Sequence, residues 1–188
     1  MMKKLISVAA VMGLLVGCGG STVSGTVRGA QLSAQDAVFD VINSSSGGGQ
    51  TFVLYIGDTP NLCQKIKANQ TAKNSASFVV VAGVVDNAGN TGALANGDYT
   101  VYPFSEADAT GKVAFTVFDK YDGTCRSTLG SNTPTGTGGK VTLNSFSAKE
   151  GGTASGTFEV FFGADKVTGN FNATYCSFPT SSGTSTCI

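Results

Sequence analysis

The last third of the chain alternates apolar and polar residues with a period of two, and this pattern constrains the fold more than any other. Between residues 153 and 162, Phe158, Val160 and Phe162 share one parity, and the next segment, 166–175, repeats the pattern after a three-residue connection. A period of two places apolar side chains on one face of a strand. The pattern predicts strands joined by a hairpin.

Comparable short apolar segments recur along the chain, separated by turns of Gly, Ser, Thr and Asn. Gly contributes 26 of the 188 residues, and charged residues only 13%, against about 25% in a typical soluble protein. These features predict an all-β fold of about nine strands. The predicted strands are 23–27, 37–42, 52–56, 77–85, 98–103, 112–119, 140–146, 153–162 and 166–175.

The predicted arrangement is an antiparallel β-sandwich, because a single layer of nine strands would leave one apolar face in water. A closed β-barrel is the alternative. The segment 77–85 is almost continuously apolar and is therefore predicted to be a central strand covered on both faces. One short helix is expected near residues 60–70, with Thr59 as its cap and Pro60 in its first turn.

The N-terminal segment begins with Lys3 and Lys4 and continues with an apolar run over residues 5–16. This run is shorter than the ~20 residues of a transmembrane helix and fits the central part of a secretory signal. We therefore interpret residues 1–17 as a signal peptide, 18–24 as a tether, and 25–188 as a single domain.

The end of this run, Leu15-Val16-Gly17-Cys18, resembles the lipobox of bacterial lipoproteins. The resemblance implies cleavage before Cys18, a diacylglycerol on its thiol and an acylated amino group, so that membrane lipid is the partner of Cys18. Gly19, where retention at the inner membrane would use Asp, implies an outer-membrane location in the cell envelope. Residues 155–176 also resemble the C-terminal hairpin of small uncharacterised bacterial lipoproteins, a likeness that brings no known activity.

With Cys18 set aside, four cysteines remain: Cys63, Cys125, Cys176 and Cys187. An even number in an exported chain predicts two disulfides, for which three connectivities exist. The favoured pairing is Cys63–Cys125 with Cys176–Cys187, because the second bond would close a short polar loop that has few apolar residues of its own.

A short motif occurs three times, beginning at Val23 (VSGTV), Ala154 (ASGTF) and Val167 (VTGNF). Its spacing is irregular, so it does not predict a repeat architecture. We interpret its glycines as strand starts at which the backbone bends or bulges.

The chain contains no histidine, which argues against the nucleophilic triads and most catalytic zinc sites. Two weak candidate sites remain. Asp86, Asn87 and Asn90 could offer oxygen ligands to a metal, although an Asx-rich turn explains them more simply. A second group of carboxylates, which could serve a hydrolase but reads more simply as turn residues, comprises Glu106, Asp119 and Asp122.

The balance of 12 basic and 12 acidic residues gives no indication of nucleic-acid binding. The sequence therefore predicts a lipid-anchored envelope protein with a structural or interaction role, without enzymatic activity or cofactor. A surface module that binds a glycan or an envelope protein is the alternative, followed by a hydrolase that uses carboxylates.

Overall fold

The computed structural model describes residues 20–44, 48–106, 108–130, 132–179 and 185–188, and within these ranges it contains eleven strands and one helix, α1 (Leu62–Lys67). All nine predicted strands and the helix are confirmed, and two strands of two residues each are additional. In chain order the strands are β1 (Thr22–Gly25), β2 (Asp36–Asn43), β3 (Gln50–Gly57), β4 (Gln70–Thr71), β5 (Ala76–Val85), β6 (Gly97–Val101), β7 (Gly111–Lys120), β8 (Gly138–Phe146), β9 (Thr153–Phe162), β10 (Asp165–Tyr175) and β11 (Thr186–Cys187).

The large sheet closes on itself. Its strands follow the order β10-β2-β3-β5-β7-β6-β8-β9, and β9 pairs with β10 again, which makes a ring of eight strands. The all-β class is confirmed, and the continuous hydrogen bonding corresponds to the barrel alternative. Most pairs are antiparallel, as expected, but β2 with β10 and β6 with β7 run parallel.

Two pairings in the ring are narrow, with two residue pairs each: β6 with β7 and β10 with β2; we call the second the seam. Along its other edge β10 pairs with β9 over ten residue pairs, whereas only Thr174 and Tyr175 pair with β2, opposite Val38 and Phe39. The preceding residues of β10 on this edge, 167–170, pair with β1 instead. Few hydrogen bonds therefore close the barrel at this point.

Aromatic and aliphatic side chains fill the inside of the barrel. Rings from opposite parts of the sheet meet there, as Phe78 and Phe158 do with 4.8 Å between their centroids. An eight-stranded barrel has an interior just wide enough for its own side chains, so this interior is a packed core. Its largest fully buried members are Tyr99, Phe39, Phe52, Phe78, Phe118, Phe171, Leu54, Ile56 and Leu143.

Two glycines of the motif that occurs three times in the sequence make room for this core. Gly156 in β9 lies opposite Phe171 in β10, and Gly169 in β10 lies opposite Phe158 in β9. Each phenylalanine ring lies over the glycine of the other strand, where a Cβ would stand 2.5 Å or 2.6 Å from the ring atom Cζ. The motifs do begin within the first three residues of β1, β9 and β10, but Gly156 and Gly169 keep a regular register between β9 and β10 and serve packing rather than a bend.

Helix α1 covers part of the outside of the barrel. Its residues Leu62, Cys63 and Ile66 pack with Val38 of β2, as their spacing predicted. The start of the helix differs from the prediction: Asn61, with φ 60°, precedes the first helical residue, and its side chain makes no capping bond. The carboxylate of Asp36 instead accepts a hydrogen bond from the Leu62 amide at 2.8 Å.

Strand β5 is not covered on both faces as predicted. Phe78 and Val80 point into the core and are fully buried, but Val79 and Val81 on the outer face remain partly exposed. The outer face of the barrel therefore carries apolar side chains that the fold itself does not bury.

Candidate functional site

Both disulfides form, but with a different pairing from the favoured one. Cys63 bonds to Cys176 and Cys125 bonds to Cys187, each with 5.7 Å between the Cα atoms, a typical separation for a disulfide. The predicted pairs, Cys63–Cys125 and Cys176–Cys187, are wrong. The participation of all four residues in two disulfides is confirmed.

The topology explains the pairing. Cys176 directly follows β10, where its amide donates a hydrogen bond to the Phe39 carbonyl of β2 and its side chain joins the cluster around α1. Cys187 lies in β11, which runs parallel to β4. The two C-terminal cysteines are thus held at different elements, so proximity in sequence is a poor guide to their partners.

The lipidation candidate Cys18 lies outside the described residues, as do all residues of the proposed signal peptide. The described part begins at Gly20, and β1 follows at Thr22. Ser21 is already attached to the barrel, since its hydroxyl accepts a hydrogen bond from the Asn172 amide at 3.1 Å. Residues 21–24, which the sequence assigned to the tether, are therefore part of the folded body.

The metal candidate Asp86, Asn87 and Asn90 forms a tight turn after β5. The carboxylate of Asp86 accepts hydrogen bonds from the amides of Ala88 and Asn90, both at 2.8 Å, and from the Asn90 side-chain amide. The bonds from Asn90, followed by that from Ala88, lower the pKa of Asp86. Its oxygens are engaged in an Asx turn, which favours the structural interpretation of this segment.

The three carboxylates proposed for hydrolysis do not converge. Glu106 belongs to the connection that enters β7, while Asp119 and Asp122 lie at the far end of that strand. Asp122 caps a turn, in which its bonds from Thr124 and the Arg126 amide lower its pKa. Asp119 is buried and accepts a hydrogen bond from the Ser127 hydroxyl at 2.6 Å. This arrangement lacks the paired carboxylates that glycoside hydrolysis uses.

A tyrosine cluster that the sequence did not indicate lies beneath α1 and β4. Tyr121 lies beside Asp119, and Tyr55 beside Ser77, around a cavity of about 30 Å³, room for about one water molecule. Burial raises the pKa of Tyr121, and the negative charge of Asp119 raises it further. Burial also raises the pKa of Tyr55.

This cluster predicts a loss of stability at alkaline pH. An unfolded tyrosine loses its proton near pH 10, whereas folded Tyr121 retains it; stability is therefore complete below pH 10 and falls as pH rises above it. The slope approaches about 1.4 kcal/mol per pH unit for one such group. Urea unfolding of the wild type, Tyr121→Phe and the control Tyr102→Phe between about pH 9 and 11 measures this dependence. A slope as steep in Tyr121→Phe as in the wild type would contradict the assignment.

The outer faces of β3, β5 and β7 form an apolar surface. Val53, Val81 and Phe115 lie side by side on the three strands, and the next row contains Val79 and Val117. The ring of Phe104 stacks on Phe115 with 5.2 Å between centroids and is itself 55% exposed. We call this surface the aliphatic face. It consists of six residues: Val53, Val79, Val81, Phe104, Phe115 and Val117.

Two further observations concern the described residues only. No group of three or more His, Cys, Asp and Glu side chains among them is placed to hold a metal ion. None of their helices has the length and apolar character needed to cross a bilayer.

Comparison of the chain with protein-family models, with curated proteins and with solved structures finds no match.

Proposed function

We propose that this protein is a lipid-anchored protein of the bacterial cell envelope whose folded body acts by interaction through its outer surface. Acylated Cys18 is the anchor, and the disulfide-bonded barrel is the part presented to the surroundings. Two or more acyl chains hold a protein stably on a membrane, at about 0.8 kcal/mol per buried CH₂.

The cysteine pattern carries the proposal. The four cysteines of the body pair with one another, which leaves Cys18 as the remaining cysteine, at the end of the apolar N-terminal run. Disulfides persist in oxidising compartments outside the cytoplasm, so the paired body supports export. The lipobox resemblance of Leu15 to Cys18 then assigns the fifth cysteine to the lipid.

The length of the tether limits how the body lies on the membrane. Three residues separate Cys18 from Thr22, where β1 begins to pair with β10, and the four steps of chain between them span at most about 14 Å. The side of the barrel formed by β1 and β10 is thus kept near the lipid. Strands β5 and β7 stand third and fourth from β10 around the eight-stranded ring, which places the aliphatic face on the opposite side.

A filled interior and an apolar exterior support an interaction role. Buried side chains fill the barrel interior, while the aliphatic face consists of uncharged residues and includes the exposed Phe104. Contiguous apolar patches on a protein surface commonly mark binding sites for other macromolecules. A protein partner suits this face better than a glycan, because four of its six side chains are valines and Phe104 packs against its second ring, that of Phe115.

The anchor is tested by metabolic labelling with an alkyne-bearing fatty acid in a bacterial host that expresses the full chain. We expect strong labelling of the wild type and loss of at least nine-tenths of it in Cys18→Ala. The variant Gly20→Ala, which changes the tether but keeps the lipobox, serves as the control and should label like the wild type. Equal labelling of Cys18→Ala, or none of the wild type, would refute the proposal.

A further inference from the structure

The two disulfides differ in how far solvent reaches one of their two cysteines, since Cys63 and Cys125 are both partly exposed. Cys176 is 2% exposed and lies with Cys63 in a cluster that includes Val38, Leu62 and Phe178. Cys187, in contrast, is exposed, as is its neighbour Ile188. A thiolate must approach a sulfur atom to exchange with a disulfide, so access separates the two bonds.

Within the second bond the two sulfur atoms also differ. Cys125 is only partly exposed, and its Sγ lies 3.3 Å from the carbonyl oxygen of Thr71 in β4. Cys187 is an exposed residue in strand β11, of which both residues are exposed. We propose that Cys187 is a thiol–disulfide exchange site, at which an external thiol opens the Cys125–Cys187 bond while Cys63–Cys176 stays closed.

The exchange proceeds in two balanced steps with a dithiol reductant, either a small molecule or a protein that carries a Cys-X-X-Cys pair. Its thiolate attacks Cys187 Sγ, the bond to Cys125 breaks, and Cys125 leaves as a thiolate that takes a proton from water. The second thiol of the reductant then displaces Cys187 from the mixed disulfide. The reductant ends oxidised by two electrons, and the protein holds two thiols.

Opening this bond frees β11 from β4. Three backbone hydrogen bonds tie the two segments together: from Thr186 to the Asn69 carbonyl, from Ile188 to that of Thr71, and from Lys73 to that of Ile188. A two-residue pairing of this kind is too short to persist without a covalent link. Cys125 itself has φ 59°, a region that a residue with a side chain occupies only when its surroundings impose it.

The test uses the oxidised protein as purified, with both bonds intact. It is incubated with graded dithiothreitol, quenched in acid, alkylated and mapped by peptide mass spectrometry. We expect the Cys125–Cys187 bond to be reduced at least ten times faster than the Cys63–Cys176 bond. Alkylation of the freed cysteines after the quench reports the extent of reduction. With reduced glutathione alone in place of dithiothreitol, and with quenching at early times, the glutathione adduct should appear on Cys187 and not on Cys125.

A second measurement follows the consequence in the same sample. Selective reduction should abolish hydrogen-exchange protection of the Lys73 amide and leave that of Cys176, at the β10–β2 seam, unchanged. Simultaneous reduction of the two bonds, earlier reduction of Cys63–Cys176, or glutathione on Cys125 would each overturn the proposal. The wild-type protein suffices for every arm, so the result does not depend on whether a variant folds.

Discussion

Replacing Gly156 by alanine should lower the free energy of unfolding by about 3 kcal/mol, at the upper end of the range for overpacked cores. The added Cβ would overlap the carbonyl oxygen of Thr142 and lie 2.5 Å from Cζ of Phe171. The Phe171 ring cannot yield, because it is 2% exposed and packs against Phe52. For a domain of this size the loss corresponds to a fall of roughly 6–12 °C in Tm.

Gly83 provides the matched control. It lies in strand β5, and a Cβ there would meet only the carbonyl oxygen of Gln50, at an ordinary 3.6 Å. Gly83→Ala should therefore leave the stability equal or raise it by up to about 1 kcal/mol, through the smaller entropy of the unfolded chain. Equal effects of Gly156→Ala and Gly83→Ala in thermal and urea unfolding would contradict the packing role of Gly156.

Removal of the Cys63–Cys176 bond by the double substitution Cys63→Ser, Cys176→Ser should cost about 5 kcal/mol. The bond closes a loop with a sequence separation of 113, for which the chain-entropy relation gives this value. It also reinforces the narrow seam, where β10 and β2 share two residue pairs. We expect a fall in Tm of roughly 10–20 °C, measured by calorimetry on the oxidised proteins.

The double substitution Cys125→Ser, Cys187→Ser is the comparison, since its bond has a separation of 62 and should cost about 4 kcal/mol. Hydrogen exchange at the seam distinguishes the two variants better than their free energies of unfolding do. Hydrogen-exchange protection of the amide of residue 176 should fall only when the bond between residues 63 and 176 is absent. Loss of less than about 1 kcal/mol without this bond, or equal protection at the seam in both variants, would show that the bond does not hold the barrel closed.

The strands were predictable from sequence because apolar alternation reports directly on which face is buried. The connection between β9 and β10 was predicted one residue too long: β9 ends at Phe162 and β10 begins at Asp165, which leaves Gly163 and Ala164 as the turn. A shift of one residue changes every cross-strand pair. With the two-residue turn, the shared Gly-X-Phe spacing of the two motifs places each glycine opposite the other phenylalanine.

Other features depended on tertiary structure that no local pattern reports. The disulfide partners are set by where β10 ends relative to α1, and by the pairing of β11 with β4. The tyrosine cluster joins Tyr55 of β3 with Tyr121, which follows β7, and no spacing links them. The prediction that β5 is covered on both faces is wrong because continuous apolar residues do not reveal whether anything packs on the second side.

The measurement that tests the account most directly is the mass of the N-terminal peptide of the protein isolated from bacterial membranes, together with a non-reducing peptide map. We predict a mature chain that begins at Cys18 and carries a diacylglycerol on its thiol, with the body closed by Cys63–Cys176 and Cys125–Cys187. A chain that retains residues 1–17, or a Cys18 without lipid, would contradict the envelope anchor on which the proposed function rests.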